Sequence, residues 1–179
     1  RIAQLGWHLQ LHLDAEDILT YRDFLDRLRV PFIIDHMGRV QAQHGLEQQP
    51  FKLLLDLMKN ELAWIKVSGP ERISATGKPY LDAIPFARKL IEAAPGRVLW
   101  GTDFPHPNVK HMPNDGHLVN LLGMMAPDPD TLKTLVVDTL DWFEPLIAQA
   151  VCERNGWSDP EAPGYGKGWV AITSEWRVF

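Results

Sequence analysis

The sequence predicts an α/β protein: part of a (β/α)8 barrel, with four parallel strands and their helices. Three observations predict it. Short apolar runs of strand character alternate with stretches of helical period, a pattern that requires parallel strands joined by helical crossovers. The predicted strand ends at His12, His36, Ser68 and Asp103 are 24, 32 and 35 positions apart, close to the roughly 30 residues of one barrel unit. The residues with acid–base or binding chemistry gather at the C-terminal strand ends, which form the active face of such a barrel. No Gly-x-Gly-x-x-Gly follows any strand, which argues against a dinucleotide-binding sheet.

The elements follow in order. Residues 7–13 alternate, with Trp7, Leu9, Leu11 and Leu13 on one side and His8, Gln10 and His12 on the other, the period of a strand. Asp14 suits a helix N-cap and Asp17 a first turn, opening a helix over residues 14–28 with Ile18, Leu25 and Leu28 inward. Phe32-Ile33-Ile34-Asp35 is apolar on both faces and predicts a buried strand. Pro50 starts the clearest helix, where Phe51, Leu54, Leu55 and Met58 recur at helical spacing. Residues 63–67 form a third strand, residues 80–94 a helix stopped by Pro95-Gly96, and residues 97–102 a fourth strand with Trp100 in the core. A last helix is expected over residues 130–149.

The chain has 179 residues, 45% of them hydrophobic and 23% charged, with a net charge of −5. That composition fits a globular domain with a core and disfavours nucleic acid or an anionic membrane as partner. No apolar run approaches the ~20 residues of a membrane span. No signal-peptide pattern opens the chain, so a cytoplasmic location is the default expectation. The lone Cys152 excludes an internal disulfide and a cysteine metal motif. The chain opens at Arg1, a few residues before a strand, and reads as the later part of something longer. Residues 1–150 are expected to form the half-barrel, and residues 151–179 an irregular tail of doubtful origin with a short strand at Trp169-Val170-Ala171-Ile172.

Three strand-end segments carry a family resemblance: Ile34-Asp35-His36-Met37-Gly38-Arg39, Lys66-Val67-Ser68-Gly69-Pro70-Glu71-Arg72-Ile73-Ser74 and Leu99-Trp100-Gly101-Thr102-Asp103-Phe104-Pro105-His106-Pro107-Asn108. With Met112-Pro113-Asn114-Asp115-Gly116 downstream, the chain resembles the amidohydrolase-related family, and within it the 2-pyrone-4,6-dicarboxylate lactonases. The resemblance spans about residues 1–138 and implies strands five to eight of the barrel. It implies hydrolysis of a cyclic ester bearing two carboxylates, in the breakdown of protocatechuate and lignin-derived aromatics. It matches a family histidine to His36 and a family aspartate to Asp103. The family's strand-one His-x-His pair has no counterpart in this sequence. Many relatives bind a divalent metal, whereas the lactonase subgroup works without one. After Leu135-Val136-Val137-Asp138 the family pattern of Asn-Pro and a short ending gives way to Thr139-Leu140-Asp141-Trp142.

Ring-ester hydrolysis needs an activated water and donors on the carbonyl oxygen. Asp103, at a strand end, is the candidate general base; the competing reading is a turn aspartate before a proline-rich loop. His36 is the candidate group to polarise the carbonyl, against a histidine merely packed at a strand end. Asp35 points to the other face and is expected to bond a neighbouring helix or loop. Arg72 and Arg39, in loops after strand ends, are candidates to grip substrate carboxylates through paired N–H groups, and Asn108 could bond the same carboxylates. His12 is a candidate pocket residue with no assigned role. His106 is read as a loop-shaping residue, and His44, His111 and His117 as solvated. No cofactor is expected; the alternative is one divalent metal such as zinc in a metal-dependent amidohydrolase or decarboxylase. His36 and Asp103 supply two good ligands and His12 a weak third, where a catalytic zinc site normally takes three. A further alternative is an inactive fragment that self-associates through exposed half-barrel edges.

Overall fold

A computed structural model of the chain describes residues 2–109, 111–134, 136–137, 151–159 and 162. Two units separate, Arg1–Val137 and Asp138–Phe179. In the first, five strands form one parallel sheet in sequential order: β1 (Leu9–Leu11), β2 (Phe32–Ile34), β3 (Ala63–Lys66), β4 (Val98–Trp100) and β5 (Val136–Val137). Between them run α1 (Ala15–Thr20), α2 (Arg22–Asp26), α3 (Gln49–Leu57), α4 (Pro70–Ile73), α5 (Ile84–Ala93), α6 (Asp115–Met125) and α7 (Pro129–Thr134). In the second unit, residues 151–155 are helical. The expected strand at residues 169–172 lies outside the described residues. No described helix is long and apolar enough to cross a membrane.

The sheet has two unlike faces, as the strand period dictates. Phe32, Ile34, Ala63, Ile65, Val98 and Trp100 are buried. Their alternates sit on the other face: Gln10 is exposed, and Ile33, Trp64 and Leu99 are only half-buried. The register sets Gln10 beside Ile33, Ile33 beside Trp64 and Lys66 beside Leu99. Helical crossovers cover the first face. To the core α1 brings Ile18, α3 brings Phe51, Leu54 and Leu57, and α5 brings Ile84, Phe86, Ala87, Leu90 and Ile91. On the second face Asp35 accepts hydrogen bonds from Gln10 Nε2 at 3.0 and 3.1 Å and pairs with Lys66 Nζ at 3.3 Å. Asp35 thus stitches together three strands rather than a helix or loop.

Four expectations need correction. Trp7 stands outside β1 and is exposed, because the strand begins only at Leu9. The helix expected over residues 14–28 is broken at Tyr21, which caps the end of α1 and the start of α2. The helix expected from Asp130 ends at Thr134, and Val136 and Val137 instead pair with Leu99 and Trp100 as a fifth strand; β-branched residues suit the pleat. The remainder of that expected helix, from residue 138 on, lies outside the described residues. Helix α6 was not anticipated. It buries Leu118, Leu121 and Met125, but Leu122 and Met124 on its other sides blur the amphipathic stripe.

A left-handed turn leaves β2. His36, Met37, Gly38 and Arg39 have φ of 51°, 53°, 61° and 48°. Successive left-handed L-residues are costly, about 1–2 kcal/mol each, so packing must hold them. Met37 is fully buried, and a Cβ at Gly38 would lie 2.6 Å from Ile18 Cδ1 and 3.2 Å from Leu54 Cδ2. That closeness, with the positive φ, favours glycine: any Cβ would force the Ile18 and Leu54 side chains to move.

The joint between α3 and α5 gives a stability prediction. The Phe51 and Phe86 rings meet edge to face, with centroids 4.8 Å apart. Phe51→Ala is expected to destabilise the first unit by about 3–5 kcal/mol, read as a lower urea midpoint with unchanged cooperativity; a change within 1 kcal/mol would place Phe51 outside the core.

Candidate active site

The ends of β2, β3 and β4 meet at one rim. β2 delivers His36, β3 delivers Ser68 and then the Gly69 turn into α4, and β4 delivers Asp103 three residues past Trp100. Gly69 has φ +66°, and a Cβ there would stand 3.1 Å from His36 Nδ1, His36 Cβ and Arg72 Cδ alike. A glycine lets β3 turn close behind the histidine.

His36 and Asp103 converge. His36 Nε2 lies 3.4 Å from Asp103 Oδ1, and His36 Nδ1 lies 2.9 Å from Ser68 Oγ. Asp103 Oδ2 accepts from Arg72 Nε at 2.5 Å, and Arg72 Nη2 forms an ion pair with the same oxygen at 2.5 Å. Arg72 Nη2 also donates to the Pro107 carbonyl at 3.1 Å. The side chains of His36, Arg72 and Asp103 are only 9%, 9% and 12% exposed. Arg72 stands on α4, not in a loop, and its partner is Asp103.

The other predicted residues gather around this core. His12 packs edge-on against His36, with ring centroids 5.3 Å apart, and its Nε2 lies 3.1 Å from Arg39 Nη1. The same Arg39 nitrogen is 2.9 Å from Asp14 Oδ1. A cavity of about 650 Å³ opens beside them, with Arg39, Arg72, Lys78, Tyr80, Asn108 and His111 in its wall. His111 therefore belongs to the pocket wall as well as to solvent. His36, Arg39, Tyr80, Asp103, His106 and Asn108 all have positive φ, a concentration of strained backbone that marks functional sites.

Sequence reasoning missed Lys78, Ser68 and, above all, Glu71, and took His106 only as a loop residue. Glu71 and His106 are buried side by side next to Asp103, with Nδ1 3.5 Å from Oε1, and Glu71 also lines the cavity. The available signal was a carboxylate set directly before Arg72 at a strand end.

Comparison with known proteins places this geometry. The amidohydrolase family model matches residues 1–139. The chain belongs to the amidohydrolase family. It is 43% identical over 148 residues to a 2-pyrone-4,6-dicarboxylate hydrolase of Comamonas testosteroni, covering 77% of this chain and 48% of that protein. It is 43% identical over 139 residues to a 4-sulfomuconolactone hydrolase of Hydrogenophaga intermedia, covering 76% and 46%. A crystal structure from Agrobacterium tumefaciens superposes with a TM-score of 0.65 at 27% identity, covering 76% of this chain and 50% of that one. The chain thus spans about half the length of the curated relatives it matches.

Amidohydrolases raise the question of a metal, and two donor groups among the described residues have the spacing for one: His12, Asp35 and His36, and Glu71, Asp103 and His106. Neither suits a divalent cation well. Asp35 is already paired with the Lys66 ammonium, and Asp103 with the Arg72 guanidinium. A cation at either group would stand against a fixed positive charge at short range.

Burial holds the His36 pKa below the ordinary histidine value; the Asp103 charge opposes that shift without overcoming it. The folded protein therefore keeps His36 neutral where the unfolded chain, with a pKa near 6.5, takes up a proton. Stability from this group is full above that value and falls as pH drops toward the folded pKa. Unfolding free energy is expected to decline between about pH 7.5 and pH 5.5, and less steeply in His36→Gln. Equal slopes in the two proteins would refute the assignment.

Proposed function

We propose that this chain supplies part of a (β/α)8 lactonase barrel, with β1 to β4 as strands five to eight, and opens the ring of a small lactone carrying acidic groups. The observation that carries the reading is the Asp103 carboxylate held between His36 and Arg72 beside a cavity walled by Arg39, Arg72, Lys78 and Asn108. The names of the relatives support the same chemistry and point to the catabolism of aromatic compounds. The half-exposed sheet face with Gln10, Ile33, Trp64 and Leu99 supports a lumen that a second half would close.

The residues divide the work. Arg72 fixes Asp103 Oδ2, which leaves Oδ1 toward His36 and an incoming water. Asp103 takes a proton from that water as its oxygen adds to the lactone carbonyl carbon. The ring C–O bond breaks and the leaving oxygen takes a proton back from Asp103. Neutral His36 donates from Nε2 toward the carbonyl oxygen as negative charge grows there, with Ser68 Oγ on Nδ1 holding that tautomer. Arg39, Lys78 and Asn108 give the cavity donors for the acidic groups, and His12 steadies Arg39. The proposed chemistry uses no metal.

Asp103→Asn, in a protein carrying the whole barrel, is expected to lower kcat for 2-pyrone-4,6-dicarboxylate by about 10²–10⁴-fold with KM nearly unchanged, followed by loss of ring absorbance. Turnover near the wild-type rate would remove Asp103 from the mechanism.

The open sheet face favours a second reading for the isolated chain, self-association. β1 and β5 are the edge strands of the described sheet, and unpaired edges beside an apolar face promote pairing. Sizing chromatography is expected to show a dimer or larger species; a cooperative monomer would count against it.

A further inference from the structure

Behind Asp103 lies a cluster that the mechanism above leaves unused. Glu71 stands on α4 with its side chain 3% exposed, and His106 beside it with its side chain 1% exposed. Among the described residues, neither Glu71 oxygen nor His106 Nδ1 has a hydrogen-bond partner beyond Glu71's own backbone N–H. His106 Nε2 lies 3.0 Å from Asp115 Oδ1, and the Asp115 side chain is 43% exposed. One donor atom each from Glu71, Asp103 and His106 lies within 4.8 Å of the others. The cluster therefore runs from the reacting carboxylate, through two buried groups, to a carboxylate in contact with water.

Hydrogen accounting constrains this cluster. The ionised Asp115 carboxylate can only accept, so His106 Nε2 carries a hydrogen. A bare Nδ1 facing a bare Glu71 oxygen would set two buried acceptors against each other, a costly arrangement. One proton between them resolves it, either on Glu71 as a neutral acid or on His106 as an imidazolium. The charges facing the pair act in both directions. Burial is the largest influence on Glu71 and raises its pKa; its backbone hydrogen bond lowers it, the Asp103 charge raises it, and His106 and Arg72 lower it. Tyr80, also near Glu71, has its own pKa raised, by burial first and the Glu71 charge second.

We infer that Glu71 and His106 share one proton beside Asp103 and relay the proton released by ring hydrolysis to solvent at Asp115. This rests on the lactonase reading. Lactone plus water gives a hydroxy-carboxylate and one surplus proton. That proton leaves the new acid for Asp103 and crosses to the Glu71–His106 pair, the spacing leaving room for one bridging water. The His106 Nε2 hydrogen departs through Asp115 to solvent, the pair again holds one shared proton, and a half-turn of the imidazole presents a ring N–H to Asp115 once more, which restores the resting arrangement. No other reactant is needed. Glu71, which also forms part of the cavity wall, and His106 are positioning and proton-transfer groups that act through Asp103.

Glu71→Gln tests the inference, because an amide fills the space yet cannot exchange the proton. In the whole-barrel protein it is expected to lower kcat by at least about tenfold with KM unchanged, and added formate is expected to restore part of the rate. A loss of kcat that no added acid recovers, or no loss at all, overturns the relay. Spectra test the shared proton without turnover. In the 179-residue chain at neutral pH, an infrared carboxylic-acid band absent from Glu71→Gln, or a doubly protonated His106 by nitrogen NMR, confirms it. An ionised Glu71 beside a neutral His106 overturns it. If the wild-type protein opens no lactone, the relay falls with the lactonase reading, and the spectra alone decide the shared proton.

Discussion

The site depends on one carboxylate held from two sides. Arg72 takes Asp103 Oδ2 while His36 faces Oδ1, and all three side chains are nearly buried. A buried charge is tolerable only when it is paired and hydrogen-bonded, so each partner is a condition for the others. His36 and Asp103 follow the ends of β2 and β4, and Arg72 stands on α4 just after β3, so the ordered parallel strands bring the three together. The sheet thus acts as a ruler: its in-phase strands end at one rim, and the turns that follow them bring His36, Ser68 and Asp103 together. Losing the guanidinium would leave the Asp103 carboxylate facing a neutral imidazole in a poorly solvated rim, without its charged partner.

Much of the fold was legible because buried parallel strands and amphipathic helices leave different periods in a sequence. The Phe32-Ile33-Ile34 run and the Phe51, Leu54, Leu55 and Met58 pattern each admit one reading, and both stand. Where the period blurs, legibility fails. Helix α6 carries apolar residues on several sides, and β5 is a described pair of only two residues whose strand identity comes from its neighbour Trp100 rather than from its own pattern. Trp7 fitted the alternation but stood beyond the reach of pairing.

The candidate site was legible for a different reason. Acid–base residues at successive strand ends have few structural uses in common, so Asp103, His36 and Arg72 could be placed at one rim before any distance was known. Their mutual partners could not. That Arg72 binds Asp103, that Ser68 fixes His36, and that Glu71 lies buried against His106 are facts about side chains more than thirty residues apart, set by loops whose backbone is left-handed. Neither periodicity nor composition encodes such a path.

The left-handed run from His36 to Arg39 has a consequence for how the site comes into being. A turn of inverted hand has no local preference to form it, so it cannot precede the scaffold that holds Met37 and Gly38 in place. The imidazole takes up its working position only after α1, α3 and the sheet have docked. Completion of the candidate site is then a late event in assembly: a partly collapsed chain, however compact, lacks it, and the appearance of the His36–Asp103 contact during refolding would time the final locking of the tertiary structure.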